Sequence, residues 1–246
     1  MNTSKLFVIE GPDGSGKTTM CKNISKKLLA NNIYSEIISL PNRFAFGYDK
    51  LREMLTKKVP TDILQSIMIA NMQETFDMEV KPRLDAGVIV ILDRWLVSTI
   101  IYNILNNGNL VASMAKEDNT LSLENISSEY CKLSAYPDKI FYIGTPKSLV
   151  LEHARLRNSK EINDQENNVK KIYNLYNDFY TTIKRGGRFP FETKKYSFSE
   201  QDLSEERNRH ILVKLNGNEN MNEKKMYGDM ENTILQEIYS SIGFEG

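Results

Sequence analysis

The sequence predicts an α/β fold in which a five-stranded parallel sheet is flanked by helices. Short apolar runs alternate along the chain with longer amphipathic stretches, the order typical of parallel β-α-β units. One of these runs, GVIVILD at 87–93, is apolar almost throughout, as expected for a strand that is buried on both faces. A chain of 246 residues with 40% apolar side chains fits a single domain covering 1–246.

The elements follow one another in a regular order. Five strands are predicted from the apolar runs KLFVIE, SEIISL, GVIVILD, KIFYIG and HILVKLNG. After the first strand and a glycine-rich turn, Met20, Ile24 and Leu28 recur at every fourth position, which predicts a helix over Lys17–Ala30. A second, long helical pattern covers 63–84.

The end of the chain and two internal segments complete this plan. DMENTILQEIYSSI predicts a closing helix over 229–242, after an Asn-rich polar stretch. Polar and basic segments at about 106–134 and about 184–208 are predicted insertions on the surface, the second containing Arg185 and Arg188. No stretch of the sequence has the composition of a linker that would split the chain into domains.

Composition and charge exclude several kinds of partner. The 32 basic and 32 acidic residues cancel, whereas binding to duplex nucleic acid or to an anionic membrane requires an excess of Lys and Arg. The longest apolar runs are too short to span a bilayer, and the N-terminus has no signal-peptide pattern. Only two cysteines, Cys21 and Cys131, are present, so a reducing, cytoplasmic location is expected.

The turn after the first strand matches a phosphate-binding motif, G-x-x-x-x-G-K-[ST], in the strand-to-helix context that supports it. Glycines let backbone N–H groups converge on phosphate oxygens, and the helix N-terminus adds the positive end of its dipole. Lys17 is expected to reach the β- and γ-phosphates, and Thr18 to offer its hydroxyl to Mg²⁺. The predicted nucleotide-binding residues are Gly11, Asp13, Gly14, Ser15, Gly16, Lys17, Thr18 and Thr19.

Charged residues follow other strands of the predicted sheet. Asp93 and Arg94 stand at the carboxyl end of the buried third strand, where α/β sheets bind ligands. Asp93 is a candidate for holding Mg²⁺ or its water, and Arg94 for clamping a phosphate by charge-assisted hydrogen bonds. Arg43 follows the second strand in LPNRF. Taken alone, these residues also fit a strand-end salt bridge and a solvated surface charge.

A further stretch, HARLRNSKEINDQEN, has no clear apolar face and contains Arg155 and Arg157. It is interpreted as a mobile lid over about 153–168, or else as a solvated helix end.

Together, the motifs resemble those of thymidylate kinases. GPDGSGKTT matches G-x-D/E-G-x-G-K-T, LPNR matches F-P-x-R, ANMQE matches A-N-R-x-E, DRWLVSTIIYN matches D-R-Y with a following Ser and A-Y-Q, and LSAYPD matches L-x-x-P-D. The resemblance covers about residues 5–180. It implies a P-loop nucleoside monophosphate kinase fold, ATP as phosphoryl donor, Mg²⁺, a deoxynucleoside monophosphate such as dTMP as acceptor, and a homodimer.

The resemblance also implies residue roles. Asp13 would bind the 3′-hydroxyl of the acceptor, Arg43 and Arg94 its phosphate, and Arg155 or Arg157 would bring charge to the transition state. Because Gly14 and Ser15 follow Asp13, the loop has no arginine of its own, which favours the lid as the source of that charge. The implied catalytic set is Lys17, Asp93, Arg94, Arg155 and Arg157. The implied acceptor set is Asp13, Arg43, Met68, Met72, Arg94, Ser98 and Asn103.

The departures from the family pattern concentrate where the base would bind. Met72 replaces the Arg of A-N-R, Met68 an aromatic residue that stacks on thymine, and Asn103 the Gln of A-Y-Q. A thioether accepts hydrogen bonds only weakly and donates none. Two interpretations stay open: divergence in which other residues, such as Gln73, read the base, or a preference for a modified pyrimidine or another deoxynucleotide.

Two other functional classes fit the sequence less well than a nucleoside monophosphate kinase does. A deoxynucleoside kinase needs a general base, typically a Glu after the second strand with a Trp a few residues on, and PNRFAF has neither. The single Trp, Trp95, follows Asp93 and Arg94 instead. A nucleotide-binding protein without turnover is disfavoured because Lys17 and Thr18 are both present together with the Asp-Arg pair.

Overall fold

One parallel sheet of five strands forms the centre of the structure. Its strands are β1 (Leu6–Glu10), β2 (Ser35–Ser39), β3 (Ile89–Asp93), β4 (Lys139–Gly144) and β5 (Leu212–Asn216). They lie in the order β2-β3-β1-β4-β5, and every neighbouring pair is parallel. The predicted fold class, a five-stranded parallel sheet flanked by helices, is therefore confirmed.

The computed structural model describes residues 4–57, 61–106, 137–157, 165–184 and 212–244. Its helices are α1 (Lys17–Ala30), α2 (Tyr48–Met54), α3 (Thr61–Thr75), α4 (Lys81–Asp85), α5 (Leu96–Asn106), α6 (Lys147–Arg157), α7 (Glu166–Lys184) and α8 (Glu223–Ile242). Outside the described residues lie both predicted insertions beyond 106 and 184, residues 158–164 of the predicted lid, and the side chain of Asn103.

The sheet separates two hydrophobic clusters. Because successive side chains of a strand point to opposite faces, Leu6 and Val8 pack on one side with α3, α5 and α7. Phe7 and Ile9 pack on the other side with α1 and α8. All residues of β1 are buried, which explains why its sequence is apolar up to the final Glu10. None of the described helices is long and apolar enough to cross a membrane.

The long helical pattern predicted for 63–84 is interrupted in the structure. A π-helical turn at Phe76–Val80 joins α3 to α4. Pro82 lies in the first turn of α4, and a proline has no N–H to donate to the carbonyl four residues earlier. The wider turn just before Pro82 accommodates that missing hydrogen bond.

The closing helix is longer than the sequence predicted. It begins at Glu223 rather than 229, because the side chain of Asn222 caps it by accepting a hydrogen bond from the Lys225 N–H at 3.3 Å. Met226 and Met230 are buried and continue the apolar stripe of the later helix. Because the Asn-rich stretch before it is polar, the sequence did not indicate that residues 223–228 belong to this helix.

The strand register brings the predicted site residues together. Ile9 of β1 pairs with Asp93 of β3, so the loop that follows β1 lies beside the Asp93–Arg94 step. The Arg94 N–H donates to the Ile9 carbonyl at 3.0 Å. The carboxyl ends of β1 and β3 therefore form one edge, which is where parallel sheets bind ligands.

Candidate active site

The glycine-rich loop between β1 and α1 is held from outside by side chains of several elements. Four of its carbonyl oxygens accept hydrogen bonds: Gly11 from Arg94 (3.4 Å), Pro12 from Lys17 (2.7 Å), Gly14 from His153 (2.7 Å) and Ser15 from Thr145 (2.9 Å). Carbonyl oxygens carry partial negative charge, and each is engaged by a donor here. The loop therefore presents less repulsion to an anion than a bare turn would.

Two glycines of this loop need their missing side chains. Gly14 and Gly16 have φ values of 86° and 88°, in the left-handed region that favours glycine. A Cβ at Gly14 would lie 2.8 Å from the Val150 carbonyl oxygen of α6, and one at Gly16 would lie 2.9 Å from the ring of Tyr227 in α8. Close packing against both helices thus fixes the loop.

Lys17 begins α1 and is buried. Burial and the nearby Arg94 lower the pKa of its ammonium to about 8, against the opposing effect of Asp13, Asp93 and Glu10. A phosphate group bound beside Lys17 would favour the charged form. Lys17 is therefore a desolvated cation, and an anionic ligand beside it would stabilise its charged form.

The Asp13 carboxylate lies at the centre of an ionic cluster. It accepts hydrogen bonds from the Arg94 guanidinium and from the Tyr102 hydroxyl, and Arg157 Nη1 lies 3.5 Å from its Oδ1. Burial alone would raise the pKa of Asp13, but Arg94, Lys17, Tyr102 and Arg157 together hold it well below its ordinary value. The carboxylate is therefore ionised and fixed against the rest of the glycine-rich loop, residues 11–18, which is called the phosphate loop below.

Arg94 connects this cluster to α5. Its backbone φ is 75°, an uncommon conformation for a residue with a side chain. Burial lowers the pKa of its guanidinium, but Asp13 and the other neighbouring groups outweigh burial and raise it above its ordinary value. Nη1 also donates to Ser98 Oγ at 3.1 Å. The predicted residues Asp13, Arg94 and Ser98 are thus brought together.

A buried glutamate that the sequence analysis missed holds the start of α5. Glu10, the last residue of β1, is 1% exposed. Its carboxylate accepts from the Trp95 N–H at 2.8 Å, from the N–H and hydroxyl of Ser98, and from the Tyr176 hydroxyl at 3.2 Å. A carboxylate at a helix N-terminus is stabilising. Glu10 thereby positions Arg94, which directly precedes Trp95 in the chain and donates to Ser98.

Glu10→Gln is expected to lower the free energy of unfolding by about 2–4 kcal/mol, because its amide group turns a donor toward buried donors. Tyr176→Phe removes one hydroxyl, which contacts Glu10 Oε2 and Ser98 Oγ, and is the milder control, with an expected loss of about 1–2 kcal/mol. Urea denaturation of both variants measures the difference. Equal, small losses in the two variants would contradict the view that Glu10 is the anchor.

Thr18 and Asp93 form a pair suited to a magnesium ion. Thr18 Oγ1 donates to Asp93 Oδ2, while Asp93 Oδ1 is buried and has no hydrogen-bond partner at any position that the structure describes. A buried carboxylate oxygen without a partner costs free energy unless a cation or water meets it. Among the described residues no group of three or more His, Cys, Asp or Glu could hold a metal. Magnesium at phosphate sites, however, takes few protein ligands together with phosphate oxygens and water.

The two predicted lid arginines face different neighbours. Arg157 ends α6 and lies beside Asp13. Arg155 pairs instead with Glu166 of α7 at 3.0 Å, and 66% of its side chain is exposed. In this structure the positive charge nearest the loop from α6 comes from Arg157.

The remaining nucleotide-loop residues are also placed. Thr19 is exposed in the first turn of α1. The Ser15 hydroxyl is buried and, within the described ranges, has no hydrogen-bond partner.

A comparison with protein families decides the relationship of the chain. The model of the thymidylate kinase family matches residues 9–187, which is most of the chain. This chain belongs to the thymidylate kinase family. The family consists of nucleoside monophosphate kinases, so the protein is a phosphotransferase that uses ATP as phosphoryl donor.

Individual thymidylate kinases are similar at modest identity. Those of Leptospira borgpetersenii serovar Hardjo-bovis and Leptospira interrogans serovar copenhageni are 28% and 27% identical, over 70% and 71% of this chain and 80% and 81% of their own lengths. The thymidylate kinase of Buchnera aphidicola subsp. Baizongia pistaciae is 26% identical, over 83% of this chain and 97% of its own length. This member is therefore divergent.

In this thymidylate kinase family member, the ANMQE segment of α3 anchors the loop that contains Arg43. Asn71 accepts from the Asn42 N–H at 2.8 Å and donates to the carbonyls of Asn42 and Phe46, and Glu74 accepts from the Phe46 N–H at 2.7 Å. Arg43 itself is exposed, with its guanidinium 4.4 Å from the Phe44 ring centroid. Asn71 and Glu74 therefore position the loop that contains Arg43. The ANMQE motif contains both residues, but the sequence alone assigned neither of them a role.

The two methionines at the predicted base pocket differ in burial. Met72 is fully buried, and its sulfur accepts a hydrogen bond from the Thr99 hydroxyl at 3.3 Å. Met68, one helical turn earlier, is partly buried against the same hydrophobic cluster. Gln73 donates to Asp77 Oδ2 at 2.8 Å, so its amide is engaged along its own helix. The assignment of Met68 and Met72 to a base pocket stays a prediction.

Proposed function

We propose that this protein transfers the γ-phosphoryl group of ATP to a deoxynucleoside monophosphate, and to dTMP in preference to the others. The observation that supports this most is the Asp13–Arg94 pair, which joins the glycine-rich loop after β1 to the carboxyl end of β3. A carboxylate in that position can accept a hydrogen bond from a sugar hydroxyl, and the adjacent guanidinium matches a phosphate group.

The proposed reaction depends on positioning and charge rather than on a covalent intermediate. Lys17 and the backbone of the loop bind the β- and γ-phosphates of ATP. Arg94 contacts the acceptor phosphate and the group in transfer, and Asp13 orients the acceptor through its 3′-hydroxyl. Arg157 adds positive charge from α6, and Arg43 approaches the acceptor phosphate from the loop after β2.

We further propose that Thr18 and Asp93 hold Mg²⁺. The partnerless Oδ1 of Asp93 and the adjacent hydroxyl of Thr18 fit a hard cation that prefers oxygen ligands. When bound, the ion would neutralise charge on the phosphate groups of ATP.

The proposal also covers domain organisation, location in the cell and association with partners. Residues 1–246 form one kinase domain, the protein acts in the cytoplasm, and two copies associate as a homodimer that binds neither nucleic acid nor membranes. The dimer follows from the resemblance to the family, and analytical ultracentrifugation at micromolar concentration measures it. A single species at 28.3 kDa, the mass of one chain, would contradict it.

The proposed function is tested by ATP consumption with a panel of deoxynucleoside monophosphates. We expect turnover with dTMP at the highest kcat/KM of the panel. Absence of turnover with every acceptor would refute kinase activity and favour nucleotide binding alone. Turnover with nucleosides but not with monophosphates would identify a deoxynucleoside kinase.

A changed base preference is the second candidate, favoured by one observation. The side chain at the position of the family's base-reading arginine is the buried thioether of Met72, already engaged by Thr99. A methionine lining would accept altered shapes, because the side chain is flexible and polarisable. A higher kcat/KM for a modified pyrimidine or another deoxynucleotide than for dTMP would support this candidate.

Met68→Ala is expected to raise the acceptor KM about tenfold while leaving the KM for ATP unchanged, because it removes apolar surface from the predicted base pocket. Met78→Ala, in an exposed residue of the π-helical turn, is the matched control and should change neither constant. Steady-state kinetics with each substrate varied in turn gives both values. An acceptor KM unaltered in Met68→Ala would place Met68 outside the pocket.

A further inference from the structure

His153 of α6 connects the phosphate loop to the first turn of α8. Its Nδ1 lies 2.7 Å from the Gly14 carbonyl oxygen, and its Nε2 lies 3.1 Å from Glu223 Oε1. A carbonyl oxygen can only accept, so Nδ1 must be the donor in the first hydrogen bond. Glu223, the first residue of α8, meets the opposite ring nitrogen. A carboxylate, like a carbonyl, only accepts, so the ring makes both hydrogen bonds in its imidazolium form and is then held by two separate parts of the chain.

The hydrogen bond from His153 reaches the loop at its turn, where the backbone conformation is least constrained by its own residues. Gly14 adopts a left-handed conformation at the turn of the loop, and an isolated glycine has access to many other conformations. Because the C=O and N–H of one trans peptide point in opposite directions, holding the Gly14 carbonyl also sets the direction of the next N–H, that of Ser15. That N–H donates to the Pro12 carbonyl at 3.2 Å, so the peptide is held on both sides and closes the turn of the loop. The neighbouring Ser15 carbonyl is held in the same way by Thr145 at 2.9 Å.

We infer that His153 is a positioning residue that, supported by Glu223, holds the Gly14–Ser15 peptide and with it the conformation in which the glycine-rich loop binds the phosphates of ATP. The inference rests on ATP being the phosphoryl donor and does not depend on which acceptor is used. His153 acts through the loop backbone, so its loss should weaken phosphate binding without altering how the acceptor binds.

Two amide variants separate the two nitrogens of the ring. The side-chain nitrogen of Asn lies as many bonds from Cα as Nδ1 does, and that of Gln as many as Nε2. His153→Asn can therefore still donate to Gly14, whereas His153→Gln can reach only toward Glu223. We expect the Kd for a non-hydrolysable ATP analogue to rise about tenfold in His153→Gln, the usual value of one hydrogen bond, and less than threefold in His153→Asn.

Inorganic tripolyphosphate distinguishes action through the loop from direct contact with the nucleoside. Calorimetric titration of tripolyphosphate should show the same loss of affinity in His153→Gln as titration of the ATP analogue. A loss confined to the ATP analogue would mean that His153 touches the base or sugar and would overturn the inference. Both titrations omit the acceptor, so they remain informative even if the acceptor panel shows no turnover.

Steady-state kinetics completes the test. His153→Gln should raise the KM for ATP with kcat and the acceptor KM unchanged, and Glu223→Gln should raise the KM for ATP less than His153→Gln does. Equal affinities in His153→Asn and His153→Gln, or an acceptor KM that rises together with the KM for ATP, would refute a positioning role. Thermal melting of each variant identifies any general loss of folding, which would lower the affinity for both substrates alike.

Discussion

Arg94→Ala is expected to remove nearly all phosphoryl transfer, about 10³-fold or more in kcat, while the protein remains folded. The guanidinium of Arg94 lies against Gly11 of the phosphate loop and pairs with Asp13, so it supplies positive charge where the two nucleotides would meet. Truncation does not leave the half-buried Asp13 carboxylate uncompensated, because Tyr102, Lys17 and Arg157 still surround it. Single-turnover phosphoryl transfer at saturating substrates measures the chemical step directly.

Arg94→Lys is the matched control for this variant. It keeps the positive charge but loses the planar fork that bonds two oxygens at once, so we expect it to recover only part of the lost rate. Thermal melting accompanies both variants. If Arg94→Ala keeps a rate within a few-fold of the parent protein, Arg94 is not part of the transfer site.

The sheet and the phosphate loop were predictable because their signals are local. An apolar run that is buried on both faces reads as a strand from its composition alone, and β1 and β3 were found in this way. The helix Lys17–Ala30 was also predicted within its observed bounds, since its glycine turn marks the start and its apolar residues fall on one face.

Glu10, His153 and Thr145 escaped prediction because their roles depend on residues far away in the sequence. Glu10 meets α5 and α7, at separations of 85 to 166 residues. His153 meets Gly14, 139 residues away. A lone histidine or an acid ending a strand has many ordinary explanations. Only the acidic end of an otherwise apolar strand, directly before a glycine turn, offered a weak signal for Glu10.

Two elements differed from the prediction, the helical pattern over 63–84 and the start of α8. Both differences have local causes that apolar periodicity does not reveal. Pro82 was visible in the sequence, yet the apolar periodicity of 63–84 suggested an unbroken helix. The Asn-rich stretch before α8 looked like a loop because asparagine favours turns, but Asn222 acts as a helix cap. In both cases the hydrogen bonding of a single residue, rather than the apolar pattern, decided where the helix began or changed.

Asp93→Asn is expected to weaken the binding of the divalent cation in the presence of ATP by about 10–100-fold. The change keeps the shape of the side chain but removes the charge of the carboxylate, whose buried Oδ1 has no partner in the part of the chain that the structure describes. Turnover should fall together with metal affinity and recover partly at high Mg²⁺ concentration. Titration of Mn²⁺, followed by its paramagnetic resonance signal, measures affinity independently of turnover.

Thr18→Val and Thr18→Ser form the matched pair for the same site. Valine removes the hydroxyl that reaches Asp93, and serine retains it. We therefore expect Thr18→Val to reduce Mn²⁺ affinity in the presence of ATP and Thr18→Ser to preserve it. An affinity that is unchanged in both Asp93→Asn and Thr18→Val would mean that this pair does not hold the cation, and that the short hydrogen bond between them serves only to join α1 to β3.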